Sequence, residues 1–133
     1  SYLLKNEPKY LLDFNYNTCY QAGQVNNATV CFDFKEKKIK ITHYSIKSFS
    51  RDKNKRHLKS WIIEVSNDGT HWTTIDERKN CSTLNGRCLT GTFEVEPNNF
   101  SRYIRLHQTD ETWQGNGIYV VLYYLEFYGY LEE

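Results

Sequence analysis

The sequence predicts an all-β fold, an antiparallel β-sandwich formed by one domain that covers residues 1–133. Aromatic residues make up 16% of the chain, with eleven Tyr and three Trp, and this composition favours strands over helices. Short segments of strand-type sequence recur along the chain with turn-rich sequence between them. A chain of 133 residues is also long enough to bury one adequate core.

The segment from Lys59 to Trp72 carries the strongest local signal. Its residues 62–65 are rich in β-branched side chains, which predict a strand. The Asn67-Asp68-Gly69 tripeptide then supplies the positive-φ chemistry of a tight turn, and the sequence after Trp72 has strand character again. The segment therefore predicts a β-hairpin.

The same criteria predict seven strands, and helix signals are weak throughout the chain. The strands are expected at residues 29–34, 39–48, 61–65, 72–77, 91–95, 103–108 and 119–128. Four polar, turn-rich segments separate them, at residues 15–27, 49–59, 79–90 and 109–117. Because the loops of a sandwich gather at its two ends, we expect a functional site to lie on these segments.

Charge and hydropathy exclude several classes of partner. The formal net charge is only +1, which gives no electrostatic basis for a nucleic-acid partner. No stretch approaches the roughly 20 apolar residues of a membrane span. Since no heptad repeat or sticky edge segment stands out, we expect a monomer.

The four cysteines are Cys19, Cys31, Cys81 and Cys88, and an even number permits disulfides. A disulfide between Cys81 and Cys88 would clip the loop that they flank. The Asn27 and Asn80 sequons also favour an extracellular protein. A domain with an adequate core has no need of disulfides, however, so we expect reduced thiols and a cytoplasmic location, with an extracellular location as the alternative.

Several motifs in order resemble the discoidin, or coagulation factor 5/8 type C, family. The first three are residues 61–72 (WIIEVSNDGTHW), 102–106 (RYIRL) and 125–129 (LEFYG). The resemblance covers about residues 11–129. It implies a galactose-binding-like jelly roll without catalysis, whose ligand surface is built from loops at one end.

Three further motifs are most similar to an intracellular-type branch of that family: residues 31–35 (CFDFK), 42–48 (THYSIKS) and 105–109 (RLHQT). Family members bind glycans, anionic lipids or proteins. The resemblance to this branch implies a protein-interaction module within a larger protein as the first hypothesis. A glycan-binding, lectin-like module is the alternative. Anionic lipid comes third, because the chain lacks the paired cysteines at the domain ends of the coagulation-factor pattern.

Candidate ligand-binding residues lie in three polar loops. The loop at residues 50–57 is the most cationic, and Arg and His side chains offer hydrogen bonds to planar or hydroxyl-rich ligands, although a solvated hairpin tip is the plainer interpretation. Tyr20 is an aromatic candidate for stacking, whereas we expect Trp113 to pack beneath its neighbouring loops. The full candidate set is Tyr20, Arg51, Lys53, Arg56, His57, Asn85 and Arg87.

Residues 12–18 resemble the stretch that holds a structural calcium in carbohydrate-binding relatives. Its oxygen ligands would be Asp13, Asn15, Thr18 and Glu126, although Phe14 stands where relatives have Gly and the carboxylates can serve hydrogen bonding alone. No cofactor is otherwise required.

Catalytic motifs are absent from the sequence. The four histidines lack HExxH spacing and no nucleophile elbow occurs, so we expect no enzyme. His43 and His107 alternate within strands and are expected to form hydrogen bonds in or beside the core.

Overall fold

The computed structural model describes residues 9–13, 17–18, 29–48, 57–115 and 122–132. These residues form strands and two three-residue 3-10 helices, Leu11–Asp13 and Ser82–Leu84. Neither helix has the length or the apolar character to cross a membrane. The strands are β1 (Lys9–Tyr10), β2 (Asn17–Thr18), β3 (Thr29–Asp33), β4 (Lys38–Ser48), β5 (Trp61–Ser66), β6 (Thr73–Arg78), β7 (Thr90–Glu94), β8 (Tyr103–Gln108) and β9 (Leu122–Glu132).

The strands pair into two antiparallel sheets. One sheet has four strands in the order β1-β9-β4-β7, and the other has five in the order β2-β3-β8-β5-β6. Neighbours in each sheet are rarely neighbours in sequence, as expected when a chain crosses repeatedly between the sheets of a jelly roll. The predicted all-β sandwich is confirmed.

All seven predicted strands form. The last one continues to Glu132, beyond its predicted end at residue 128, and its predicted start at residues 119–121 lies outside the described residues. The two-residue strands β1 and β2 were not predicted, because two residues are too few to show an alternating pattern.

The core lies between the sheets and is built by alternation along each strand. On β5, Trp61 and Ile63 are fully buried, and on the paired strand β8, so is Leu106. Ile39 on β4 and Phe127 on β9 are equally buried and belong to the other sheet. Each strand therefore sends alternate residues inward, and its intervening residues line the outer faces.

One buried hydrogen-bonded chain joins the two sheets. The Trp61 indole N–H donates to the Tyr44 hydroxyl at 2.8 Å, and that hydroxyl donates to Asp76 Oδ2 at 2.5 Å. Asp76 also accepts from Arg78 Nε at 3.0 Å. Burial and the bond to Asp76 raise the pKa of Tyr44 far above its ordinary value, so the hydroxyl stays a donor. The polar atoms that these aromatic side chains bring into the core are thus satisfied.

Strand register defines two ends of the sandwich. Strand β5 begins at Trp61, opposite Gln108, and ends at Ser66, opposite Tyr103. We call residues 57–60, 79–89 and 109–115 the loop end, because they flank the beginning of β5. We call residues 66–72 and 95–102 the turn end, because they flank its other terminus. The described parts of the predicted segments 49–59, 79–90 and 109–117 belong to the loop end, apart from Thr90, which begins β7.

The cysteines agree with one expectation and correct another. Cys81 and Cys88 are free thiols, so the loop between them is not clipped by a disulfide. Backbone bonds hold that loop instead, from Cys81 N–H to the Lys59 carbonyl at 2.9 Å and from Ser48 N–H to the Leu89 carbonyl at 2.9 Å. Cys31, however, is disulfide-bonded, so the expectation of four reduced cysteines is wrong.

Candidate functional site

Backbone hydrogen bonds join three segments that are far apart in sequence at the loop end. Cys81 N–H donates to the Lys59 carbonyl, Thr109 N–H to the Ser60 carbonyl at 3.1 Å, and Trp113 N–H to the His57 carbonyl at 3.0 Å. Segment 57–60 is therefore bonded both to the loop that contains Asn85 and to the 109–115 loop. This framework brings side chains from three loops together.

The Gln114 side chain connects those loops. Its Oε1 accepts a hydrogen bond from the His57 backbone N–H at 2.9 Å, which fixes the orientation of the amide. Its Nε2 lies 3.2 Å from His57 Nδ1 and donates to Asn85 Oδ1 at 3.0 Å. We call His57, Asn85 and Gln114 the amide cluster.

The bonds within the amide cluster determine what it presents to solvent. Since Gln114 Nε2 is a donor, the His57 Nδ1 that faces it is an acceptor, which corresponds to the tautomer with a proton on Nε2. Asn85 uses its oxygen toward Gln114, so its amide N–H groups take no part in the bonds of the cluster. Asn85 and Gln114 are exposed, and the cluster offers preorganised donors to a ligand with oxygen acceptors.

Trp113 lies next to Gln114 of the amide cluster, and its side chain is held by contacts with Cys81 and Lys59. Its indole N–H donates to the Cys81 carbonyl at 3.0 Å, and Lys59 Nζ lies 5.6 Å from the ring centroid. Lys59 in turn pairs with Asp110 at 3.3 Å. The Glu111 backbone N–H and then Lys59 lower the pKa of Asp110. Trp113 is half-buried, so it packs beneath its neighbours as predicted and still shows part of its surface.

The structure changes the role of one predicted ligand residue. His57 is only 5% exposed, so it is neither part of a solvated tip nor a direct ligand contact. Its backbone and imidazole orient Gln114, which makes it a positioning residue. Asn85 and Arg87 are exposed at the same end, as the prediction requires of ligand contacts.

Four other predicted ligand residues, Tyr20, Arg51, Lys53 and Arg56, lie outside the described residues and stay predictions. Gln114 was missed, because an amide in a polar loop has no distinctive sequence signal. Its position next to Trp113, in the run TWQGNG, was the only available hint.

The calcium set falls mostly outside the described residues. Asn15 lies outside them, as do the side chains of Asp13 and Thr18. Glu126 is described: it lies opposite Ser45 on the outer face of the four-stranded sheet, and its Oε2 accepts a hydrogen bond from the Tyr128 hydroxyl. The bond to Glu126 and burial raise the pKa of Tyr128 to about 12. Calcium binding stays a prediction.

The strand histidines behave as expected. His107 Nδ1 hydrogen-bonds Thr29 Oγ1 at 2.9 Å, and burial lowers the pKa of its imidazole. His43 Nδ1 hydrogen-bonds Thr42 Oγ1 at 2.9 Å, and its ring stacks on Tyr128 at 4.7 Å. Over the ranges that the structure describes, no three His, Cys, Asp or Glu side chains converge as metal ligands.

A two-sheet jelly roll that gathers polar loop side chains at one end has the architecture of a binding module. The chain belongs to the F5/8 type C domain family, whose model matches residues 2–122. This confirms the resemblance found in the motifs, and the family is one of non-catalytic binding modules. A comparison with curated proteins finds no significant match.

Several solved structures share the fold. The C-terminal domain of a chitobiase from Bacteroides fragilis is 18% identical, with 97% of each chain covered and a TM-score of 0.60. CpGH89CBM32-5 from Clostridium perfringens, solved in complex with GalNAc-β-1,3-galactose, is 12% identical over 90% of this chain and 72% of its own, with a TM-score of 0.53. CBM32-3 from a family 31 glycoside hydrolase of Clostridium perfringens is 18% identical over 84% and 72%, with a TM-score of 0.54.

Proposed function

We propose that this chain is a non-catalytic carbohydrate-binding module whose glycan site is the loop end. The amide cluster is the observation that carries the proposal, because it fixes the exposed amide side chains of Asn85 and Gln114 against the buried His57. Carbohydrates present hydroxyl and acetamido oxygens that such donors can recognise in a defined orientation. Trp113 adds a partly exposed aromatic surface beside the cluster.

Structural neighbours support a glycan ahead of the protein partner that the sequence favoured. Two of them are carbohydrate-binding modules, and one of those was solved with GalNAc-β-1,3-galactose. Their low identity establishes only the fold, so the ligand class is our inference. The exposed side chains of the described loop end are also mostly polar, whereas the centre of a stable protein interface is usually apolar.

The terminal galactose or N-acetylgalactosamine of a glycan is the ligand that we would test first. The acetamido carbonyl and ring hydroxyl oxygens suit the N–H groups that Asn85 presents, while the apolar face of the sugar suits the exposed part of Trp113. Arg87, which is exposed on the same loop as Asn85, adds a forked donor to that edge of the site.

The test is a glycan array followed by calorimetry with GalNAc-β-1,3-galactose, with and without calcium. Wild type is compared with Asn85→Ala and Gln114→Ala, and Asn99→Ala at the turn end serves as the matched control. We expect each loop-end change to weaken binding about three- to tenfold, as for one lost hydrogen bond, and the control to leave it unchanged. Calcium dependence would in addition support the predicted metal set.

Two results would overturn the proposal. The first is a folded wild-type chain that binds no glycan on the array under either condition. The second is glycan binding that survives both Asn85→Ala and Gln114→Ala, because the site would then lie elsewhere. In the first case the protein-interaction hypothesis regains priority.

The disulfide at Cys31 is informative about the cellular location of the chain. Structural disulfides form and persist in oxidising compartments, so the bonded Cys31 supports an extracellular location over the cytoplasmic one. We propose that the chain functions outside the cytosol. Alkylation of the denatured, unreduced protein followed by mass spectrometry should label two cysteines, Cys81 and Cys88, and labelling of all four would contradict the proposal.

A further inference from the structure

The loop end carries a sequence motif that the proposed glycan site does not use. Asn80, Cys81 and Ser82 form an Asn-X-Ser sequon, which is the acceptor sequence for N-linked glycosylation in secreted proteins. The motif lies between the end of β6 at Arg78 and the 3-10 helix Ser82–Leu84. Because a sequon can carry a glycan only where its asparagine is accessible, the structure discriminates between the sequons that it describes.

Both recognition groups of this sequon are exposed and uncommitted. Asn80 and Ser82 are exposed, and within the described residues neither the Asn80 amide nor the Ser82 hydroxyl forms a hydrogen bond. Asn80 is held by its backbone instead, since its N–H donates to Ser60 Oγ at 3.0 Å. The acceptor nitrogen can therefore carry a substituent without any change in the fold.

The local backbone suits a bulky substituent. Asn80 has a φ of 50°, in the left-handed region that Asn adopts more readily than most residues. Cys81 follows in an extended conformation, with a φ of −84° and a ψ of 112°. Cys81 is also a free thiol, so no disulfide restrains the centre of the motif. The sequon thus lies in an exposed bend outside the strands.

A second described Asn-X-Ser sequon, at residues 99–101 of the turn end, supplies a comparison. Asn99 is exposed, but Ser101 is only 4% exposed, and its hydroxyl donates to the Asn99 carbonyl at 3.2 Å. The Ser101 backbone also pairs with Ile39 in both directions, at 2.8 Å. Folding therefore withdraws the hydroxyl that a glycosylating enzyme must recognise, whereas the Asn80 motif stays accessible before and after folding.

We infer that Asn80 is N-glycosylated, which places a covalently attached oligosaccharide at the edge of the loop end. In the transfer step, Asn80 Nδ2 forms a bond to the anomeric carbon of a polyprenyl-diphosphate-linked oligosaccharide. The bond from that carbon to the diphosphate oxygen breaks, the diphosphate leaves with the electron pair, and the amide nitrogen gives up one proton to a base of the transferase. This inference rests on the proposed location outside the cytosol and not on the amide cluster as a ligand site.

The test is secretion of the chain, behind a signal peptide, from a cultured eukaryotic cell line, followed by glycopeptide analysis of both the medium and the cells. Peptide N-glycosidase in ¹⁸O-labelled water converts a glycosylated asparagine to a labelled aspartate, which mass spectrometry localises. We expect this label at Asn80, with higher occupancy than at Asn99. Asn80→Asp and Ser82→Ala should each abolish the glycan at this position, whereas Ser82→Thr, which keeps a hydroxyl, should preserve it.

Three results would overturn the inference. They are the absence of label at Asn80 in both fractions while Cys31 remains bonded, label confined to Asn27 or Asn99, and label at Asn80 that persists in Ser82→Ala. Circular dichroism checks that the variants fold, as expected because neither exposed side chain forms a hydrogen bond with the described residues. The measurement uses no added ligand, so its failure is distinguishable from failure of the loop-end glycan site, and alkylation of all four cysteines would identify the proposed location as the error.

Discussion

The β5–β6 turn at one end of this sandwich and the amide cluster at the other are held by hydrogen bonds that differ in sequence separation. At the turn end, Asp68 accepts hydrogen bonds from Ser66, Thr70 and His71, all within three residues along the chain. At the loop end, Gln114 bonds residues that are 57 and 29 positions away. The β5–β6 turn is therefore a local structure, whereas the amide cluster at the loop end exists only once the whole sandwich has formed.

This difference explains which end is suited to variable recognition. A turn held by its own neighbours is fixed by a short sequence and changes little when other segments change. A cluster assembled from three loops changes its shape whenever any one of those loops changes, while the strands beneath stay constant. The loop end thus combines a rigid base with replaceable contact residues.

The largest expected effect is a loss of stability on removing a buried ion pair from the five-stranded sheet, which connects the two ends. Arg105 Nε bonds Glu64 Oε1 at 2.7 Å, and each side chain is only 11% exposed. Glu64→Ala leaves a buried guanidinium without its counter-charge, and should lower the free energy of unfolding by about 3–5 kcal/mol in urea denaturation. Both ends should unfold in the same transition, because both depend on this sheet.

A second ion pair supplies the control for that measurement. Arg102 forms two hydrogen bonds with Asp33, but its side chain is 41% exposed, so Arg102→Ala should destabilise the chain far less than Glu64→Ala does. A loop end that retained its amide signals after the turn end had unfolded would show that the two ends are independent units. In that case the loop end would not depend on the whole sandwich.

A matched pair of glycines compares the ends directly. Gly69 at the turn end and Gly115 at the loop end have φ values of 76° and 69°. Alanine at either position costs about 1–2 kcal/mol of stability, because a Cβ is disfavoured in this left-handed region. At position 69 the added Cβ also meets the Tyr103 ring at 3.4 Å, whereas at position 115 the nearest atom is 3.8 Å away.

The functional consequences of the two glycine changes should differ. Gly115→Ala alters the backbone next to Gln114 and should weaken glycan binding measured by calorimetry. Gly69→Ala should leave that binding at the wild-type value, since the turn end does not contribute to the loop-end site. Equal binding by the two variants would argue against the amide cluster as the glycan site.

What could be predicted from the sequence follows the same division. The hairpin around Asp68 and the seven strands depend on local turn chemistry and on alternation, which a single sequence displays. The role of Gln114 and the burial of His57 depend on contacts between distant segments, which no local pattern records. The bonded state of Cys31 was missed for the same reason: adequate core size predicts that a disulfide is unnecessary, which does not exclude one.

The smallest expected effect concerns acid stability at the turn end. The His71 backbone N–H and imidazole, and then the Thr70 N–H, hold the pKa of Asp68 well below its ordinary value. A carboxyl whose pKa is lower in the folded state stabilises the fold above its unfolded pKa of about 3.9, and this contribution is lost as the pH falls toward the folded pKa. Asp68→Asn should therefore lower the Tm slightly at pH 6, and the difference from wild type should shrink below about pH 4. An asparagine oxygen can still accept the two backbone hydrogen bonds, so the substitution removes only the charge-dependent contribution to stability. A Tm difference that stayed constant from pH 7 to pH 3 would show that the lowered pKa contributes nothing to the stability of this turn.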